Sequence, residues 1–475
     1  MKRGKKLYIL LATFLLASCD WSFVSNPNEK PYVEYTISLE QINSKTGWVH
    51  ISDADGNIID DVTSDPFNSS IYIKYQVKKG QGHDYDFEND FSNEMGYYSA
   101  LFDRHNYYSY KGKLLNNIRV LNDSYGTGEA IVVPDILYNS LKKALNFSLI
   151  TDNKFSIGIG NLSSLWDAYI SAASSAGSLY DKESTMQQRV IYNDIAESYV
   201  EFARMTSPLP AQLAQMLAFN DDDHSITFNS DQAVDDYVDS HLGIANEIKI
   251  SSTALDLTKP SITLGGFGKG EATELFVENH NEKSYLMNSG HSSIKCINQK
   301  IDGTSWSLTV ANPYYYESVK SGNINNNINN SDIYFTHDGS FDLSTSGYYE
   351  NYFYAYEDGK YVLRHHILDP LTGYSNNTFA SASVLLDDSG YADMYTTALM
   401  NASSISEAEQ LRKKMDQYTN LNSEAYYLIN SNVDNEKKTT CYVTSSLRDS
   451  FKFTNETWPN NFENEPITSI ETIRE

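Results

Sequence analysis

Segments with strand period and segments with helix period follow one another in this chain without regular alternation. That order disfavours a doubly wound parallel sheet and predicts an α+β fold of mixed, largely antiparallel sheets packed with helices. Alternating runs at Val33-Glu34-Tyr35-Thr36-Ile37 and Ile71-Tyr72-Ile73-Lys74-Tyr75 read as strands, with the Asp55-Gly56 turn between them. Apolar residues three and four apart over 136–145, 162–173, 186–202 and 209–219 predict amphipathic helices facing a core. Strand-like runs come next at 285–297, 305–311, 333–345, 353–363 and 379–386. A helical pair at 391–400 and 405–417 precedes short strands near 425–429 and 440–444. At 475 residues and 40% apolar composition, with 36 Tyr and 20 Phe, the chain is rich enough in core-forming residues to exclude a disordered class.

The N-terminus predicts an address. Lys2, Arg3, Lys5 and Lys6 form a basic start, Leu7 to Leu16 is an apolar run, and Leu16-Ala17-Ser18-Cys19 resembles a bacterial lipobox. A run of ten is about half of what a bilayer-spanning helix needs, so residues 1–18 read as a lipoprotein signal peptide. Cys19 is then the lipidation site and 19–33 a polar, lipid-anchored tether, which places the body at the extracytoplasmic face of a bacterial cell membrane. The signal peptide carries four bases and no acids, so a formal charge of −26 for the whole chain becomes −30 from Cys19 onward. Such a chain repels nucleic acid, and no basic run occurs after residue 6 to offset that. Cys296 and Cys441 are too few for a disulfide scaffold, although one bridge between them is open. The main body is read as 34–455. Within it, 34–84 is a strand layer of unsettled attachment, and insertions fall near 175–205, 220–245 and 320–331. The last of these holds the Asn-rich run 323–330, a solvated loop by composition, and 456–475 reads as a loosely ordered acidic tail.

Three places could carry chemistry. Thr263-Leu264-Gly265-Gly266-Phe267-Gly268-Lys269-Gly270 is a glycine-rich turn opening a helix, where backbone can approach a ligand and free N–H groups face an anion. It is not a P-loop, because Lys269 precedes Gly rather than Ser or Thr, and alone it could be a plain tight turn. Asp393 and Thr397 stand four apart on a predicted helix and present two oxygens on one face, a donor pair that suits Mg²⁺. A solvated helix face has the same pattern. His365-His366-Ile367-Leu368-Asp369-Pro370-Leu371-Thr372-Gly373 reads as a strand running into a tight turn that can present an imidazole at a pocket edge.

Taken in order, Leu264–Gly270, Asn288-Ser289-Gly290, Ser344-Thr345-Ser346-Gly347 with Tyr352-Phe353 after it, His366–Gly373 and Ala392-Asp393 with Thr397-Ala398-Leu399 resemble the ApbE-type FAD:protein FMN transferases. Members of that family carry Leu-Gly-Gly-Ile-Ala-Lys-Gly, Asn-x-Gly-Gly-Asp, Thr-Ser-Gly-Asp-Tyr, His-Ile-Ile-Asp-Pro-x-Thr-Gly and Ala-Asp-Ala-x-x-Thr-Ala-Leu. A fainter likeness at Phe155–Gly160, Leu162 and Trp166 extends the resemblance over roughly 85–420.

The resemblance implies an enzyme that binds FAD, uses Mg²⁺ on its pyrophosphate, and transfers FMN to a Ser or Thr hydroxyl of an extracytoplasmic acceptor protein, releasing AMP. By the same resemblance Asp393, Thr397 and the Gly268 carbonyl hold the metal, and Gly265, Gly266 and Lys269 form the flavin-nucleotide loop. Asn288, Gly290, Ser346, Gly347 and Thr372 join the cofactor site. His366 is the general base or orienter of the acceptor hydroxyl, and Asp369 fixes the turn or the ring. The metal, rather than a basic cleft, is expected to carry phosphate recognition. An FAD pyrophosphatase yielding FMN and AMP, and a non-catalytic flavin-binding surface lipoprotein, are the alternatives. Departures fall at Thr263, where many members have Asp, Gly268 (Ala) and Gly158 (Thr). His291-Ser292 stand where Gly-Asp is usual, and Tyr348 where an acid is.

Overall fold

The structure, a computed structural model, describes residues 32–39, 49–60, 67, 69–175, 190–191, 195–311, 313, 333–433, 436–453 and 467–473. Signal peptide, Cys19, nearly all of the tether, the Asn-rich run and most of the insertion near 175–205 lie outside these residues. Among the described residues no helix is long and apolar enough to cross a membrane.

Among the described residues nine strands form the main sheet: β1 (Tyr32–Ser38), β2 (Ile71–Lys78), β3 (Tyr285–Ser289), β4 (Ser293–Ile297), β5 (Phe341–Gly347), β6 (Ser381–Leu385), β7 (Glu424–Val433), β8 (Glu436–Val443) and β9 (Ile467–Thr472). Their order in space is their order in the chain. Every neighbouring pair is antiparallel except β8 and β9, which run parallel. The α+β expectation therefore holds. The early strand layer belongs to the main body, since Tyr75 of β2 pairs with Tyr285 of β3. Alternation explains it: Ile71, Ile73 and Tyr75 are buried on one face while Tyr72 and Lys74 point to the other. The tail expected to be loose contributes β9, a short β-branched run whose backbone groups are taken up by β8.

The helices that shape the site are α1 (Tyr85–Phe102), α2 (Asp135–Ile150), α3 (Gly160–Ser175), α4 (Gly268–Asn279), α5 (Ser389–Met400) and α6 (Ile405–Thr419). Phe87, Phe91 and Met95 of α1 join Phe276 of α4 and Met394, Tyr395 and Leu399 of α5 in the largest core cluster. A helix was expected over 186–202. The described part of that stretch is instead a two-residue strand, Val190–Ile191, beside Tyr354 and Ala355, and the helix begins at Glu197. The hairpin 352–365 leaves the end of β5 and returns as the segment that carries His366, packing Phe353 against Trp166 of α3. Cys296 and Cys441 are both buried and free, on β4 and β8, with three strands between them.

Candidate active site

The glycine-rich segment turns into a helix because the Leu264 carbonyl accepts both the Phe267 N–H at 3.0 Å and the Gly268 N–H at 2.7 Å. Thr263, where Asp is usual, holds the turn, its Oγ1 accepting the Gly265 N–H at 3.3 Å. Gly270 lets α4 lie directly on α5. A Cβ there would collide with the Ser389 carbonyl and stand 2.9 Å from Cγ of Asp393. Gly270→Ala is expected to cost about 3 kcal/mol or more and to displace Asp393, read as a lower urea midpoint at unchanged slope. Gly158 has the same cause, since a Cβ would strike the Pro208 carbonyl. Gly268 is not under such a constraint; the nearest atoms, on Phe102 and Phe67, are 3.4 Å away.

Asp388 caps α5 by accepting the Tyr391 N–H at 2.8 Å, and one turn on the helix delivers Asp393 and then Thr397 to the floor of a cleft of about 540 Å³. Asp393 is held at both oxygens. Oδ1 accepts from the Ser293 hydroxyl at 2.6 Å and from the Ser344 hydroxyl, and Oδ2 accepts the Gly270 N–H at 2.7 Å. Burial pushes its carboxyl above the ordinary value, with the Lys269 ammonium working against that. Thr397 Oγ1 donates to the Gly266 carbonyl at 3.2 Å. The backbone oxygen beside the Asp393/Thr397 pair is therefore that of Gly266, whereas Gly268 is the first residue of α4 and does not line the cleft. Among the described residues no three His, Cys, Asp or Glu gather as a metal cluster. One carboxylate, one hydroxyl and one carbonyl form an all-oxygen set that fits a hard cation completing its shell with water and phosphate.

Across the cleft the Asn351 carbonyl accepts both the His366 backbone N–H and ring Nδ1, each at 3.1 Å. A carbonyl only accepts, so Nδ1 carries the proton and Nε2 keeps a lone pair. Asp369 serves the turn rather than the ring: Oδ1 accepts the Leu371 N–H at 2.8 Å and Oδ2 faces Lys154 Nζ at 3.4 Å.

Of the expected residues, Gly265, Gly266, Lys269, Gly290, Ser346, Gly347, His366, Asp393 and Thr397 meet in the cleft. Asn288 and Thr372 do not. Asn288 Oδ1 holds the turn by accepting the His291 N–H at 2.8 Å, and Thr372 Oγ1 accepts the Tyr374 N–H at 3.3 Å. Of the substituted positions, His291 and Ser292 line the cleft, while Tyr348 is buried and takes a hydrogen bond from Asn430 at 2.8 Å. Sequence reasoning missed Arg104 and Lys154. Both are cleft cations beside Lys269, and the cleft lining also carries the carboxylates of Asp167, Glu350 and Asp393, so it is mixed in charge rather than basic. Arg104 is fixed by the Gly160 carbonyl at 2.9 Å, the Ser164 hydroxyl at 2.8 Å and an ion pair with Asp167 at 3.2 Å. No motif flags them, since each is a single cation between unrelated elements. A side chamber of about 300 Å³ between Phe67, Phe102 and Asn106 shares Arg104, Gly265 and Lys269 with the cleft.

Behind the site one lysine serves two acids. Lys295 lies 2.8 Å from Glu274 and 3.6 Å from Asp342. Burial pushes the Asp342 carboxyl up from 3.8 to about 7, against the pull of Lys295. The folded chain then holds a proton that the unfolded chain has released, so this group's contribution to stability is full below pH 4 and is lost as pH rises to about 7. The loss is at most about 4 kcal/mol. Unfolding curves of Asp342→Asn between pH 4 and 8 are expected to lack that fall, and parallel curves for the two proteins would refute the assignment.

The profile of the ApbE family matches residues 68–421. Among solved structures, the ApbE protein of Thermotoga maritima is 18% identical, with a TM-score of 0.50 over 78% of this chain and 93% of its own. The flavin transferase ApbE of Vibrio cholerae is 14% identical, with a TM-score of 0.51 over 88% of this chain and 99% of its own. At such identities the likeness is one of fold. No curated protein sequence matches.

Proposed function

The chain belongs to the ApbE family, and from that premise we propose that it is a flavin transferase that moves FMN from FAD to a Ser or Thr hydroxyl of an acceptor protein and releases AMP. One observation supports this above the others. An all-oxygen donor set at Asp393, Thr397 and the Gly266 carbonyl faces the same cleft as an imidazole whose proton is fixed on Nδ1.

FAD would lie with its pyrophosphate over α4, where Lys269, Arg104 and Lys154 offset the phosphate charge. Mg²⁺ held by Asp393, Thr397 and the Gly266 carbonyl would neutralise charge gathering on the phosphoryl oxygens. His366 Nε2 takes the acceptor's hydroxyl proton. The freed oxygen bonds to the FMN phosphorus, the phosphoanhydride bond to AMP breaks, and AMP leaves with the electron pair. Ser293, Ser344 and the Gly270 N–H keep Asp393 in place throughout.

The test is AMP release from FAD with Mg²⁺, with and without a Ser/Thr acceptor peptide. Acceptor-dependent release with a fluorescent peptide product is the expected result. Release without acceptor would mean hydrolysis, and none at all would defeat the enzymatic reading.

Lipid anchoring at Cys19 on the outer face of the membrane is part of the same proposal. Cys19→Ala is expected to shift the protein from the membrane fraction to the soluble extracytoplasmic fraction; retention on membranes would refute the anchor.

A further inference from the structure

Three buried or half-buried polar residues behind the cleft form a continuous hydrogen-bonded line. Asn401 caps the C-terminus of α5, one turn beyond Thr397, and is fully buried. Its Nδ2 donates to the Lys154 and Leu368 carbonyls, each at 2.9 Å. Its backbone carbonyl accepts from Asn376 Nδ2 at 3.1 Å. The Asn376 backbone carbonyl in turn accepts from His365 Nε2 at 3.0 Å, and His365 Nδ1 accepts the Ile367 N–H at 3.2 Å. Burial pulls the His365 ring down to about 3, so it stays neutral and its two nitrogens keep opposite roles. The line thus joins the end of the helix bearing Asp393 and Thr397 to the residues on either side of His366.

We propose that His365, acting through Asn376, and Asn401, acting through the Leu368 carbonyl, are positioning residues that hold the His366 imidazole in register with Asp393 and Thr397. The proposal rests on the flavin-transfer reading above. On its other side His366 is held by the Asn351 carbonyl, which lies just before the hairpin and not on α5. The Asn376 link and the Asn401–Leu368 hydrogen bond both tie the segment carrying the ring to the end of the helix. A base must meet the acceptor oxygen while the phosphate is held from α4 and α5, and a misplacement of about 1 Å can cost on the order of a hundredfold in rate.

The experiment uses the full chain with FAD, Mg²⁺ and an acceptor peptide. His365→Phe removes both ring bonds, and kcat is expected to fall about 30-fold while KM for FAD stays within about twofold. His365→Gln keeps a donor for the Asn376 carbonyl and is expected to recover most of the rate. Asn401→Asp turns an acceptor toward two carbonyls and should show the same loss confined to kcat, so it decides the matter should His365→Phe not fold. In a His366→Ala background His365→Phe should change kcat no further. Losses that multiply, or a KM that rises as kcat falls, would overturn the proposal. A second readout needs no turnover. Nitrogen spectra of the His366 ring should show the Nδ1–H tautomer in the parent protein and a mixture in His365→Phe; an unchanged ring would overturn the proposal. If the parent protein releases no AMP, the flavin-transfer reading fails, and these spectra decide the positioning role alone.

Discussion

Asp393→Asn is expected to lower acceptor-dependent AMP release by about a thousandfold while leaving the fold intact. The carboxylate is the sole charged member of the oxygen set, so its loss removes several kcal/mol of charge stabilisation at the transferring phosphorus. The amide can still satisfy the pocket around it. Its oxygen can accept the Gly270 N–H, and its nitrogen can donate to the Ser293 and Ser344 hydroxyls, which rotate to receive it. Stability should therefore change little, and the loss should appear as a failure of added Mg²⁺ to restore turnover. Ordinary turnover in Asp393→Asn across a Mg²⁺ titration would remove the metal role from this residue. A large drop in thermal midpoint would mean the carboxylate serves the fold instead.

The second large effect is at His366. His366→Ala is expected to reduce kcat by about a thousandfold, within the span that a positioned general base supplies, with FAD affinity within about twofold. The backbone N–H of residue 366 still reaches the Asn351 carbonyl in that variant, so the strand stays where it is and only the ring is lost. Equal losses in binding and turnover would instead mark the imidazole as a flavin contact. Water needs less orientation than a peptide hydroxyl, so any acceptor-independent release should suffer less than transfer; an equal loss in both would argue against His366 acting on the acceptor.

Much of this arrangement was legible in the chain because backbone demands leave a residue signature. Gly270 and Gly158 are glycines for steric reasons, and Asp393 with Thr397 share a helix face by spacing alone. Strand period likewise placed β2 and β3. What escaped was of another kind. Arg104 and Lys154 are single cations whose position depends on how distant segments pack, and no periodicity reports that. Asn288 and Thr372 lie in the right motifs yet spend their side chains on turns, a distinction only geometry can draw. β9 was unreadable because so short a strand owes its existence to the waiting edge of β8 rather than to its own pattern.

The sheet's spatial order matches the chain's, and that has a consequence for how the protein can be assembled. A chain emerging N-terminus first can lay β1 on β2 at once, but β2 must then wait about two hundred residues for β3, exposed along one edge. From β3 onward each arriving strand meets a partner already in place. The long interval between Tyr75 and Tyr285 is therefore the vulnerable period of biogenesis, when a holding chaperone would have most to protect.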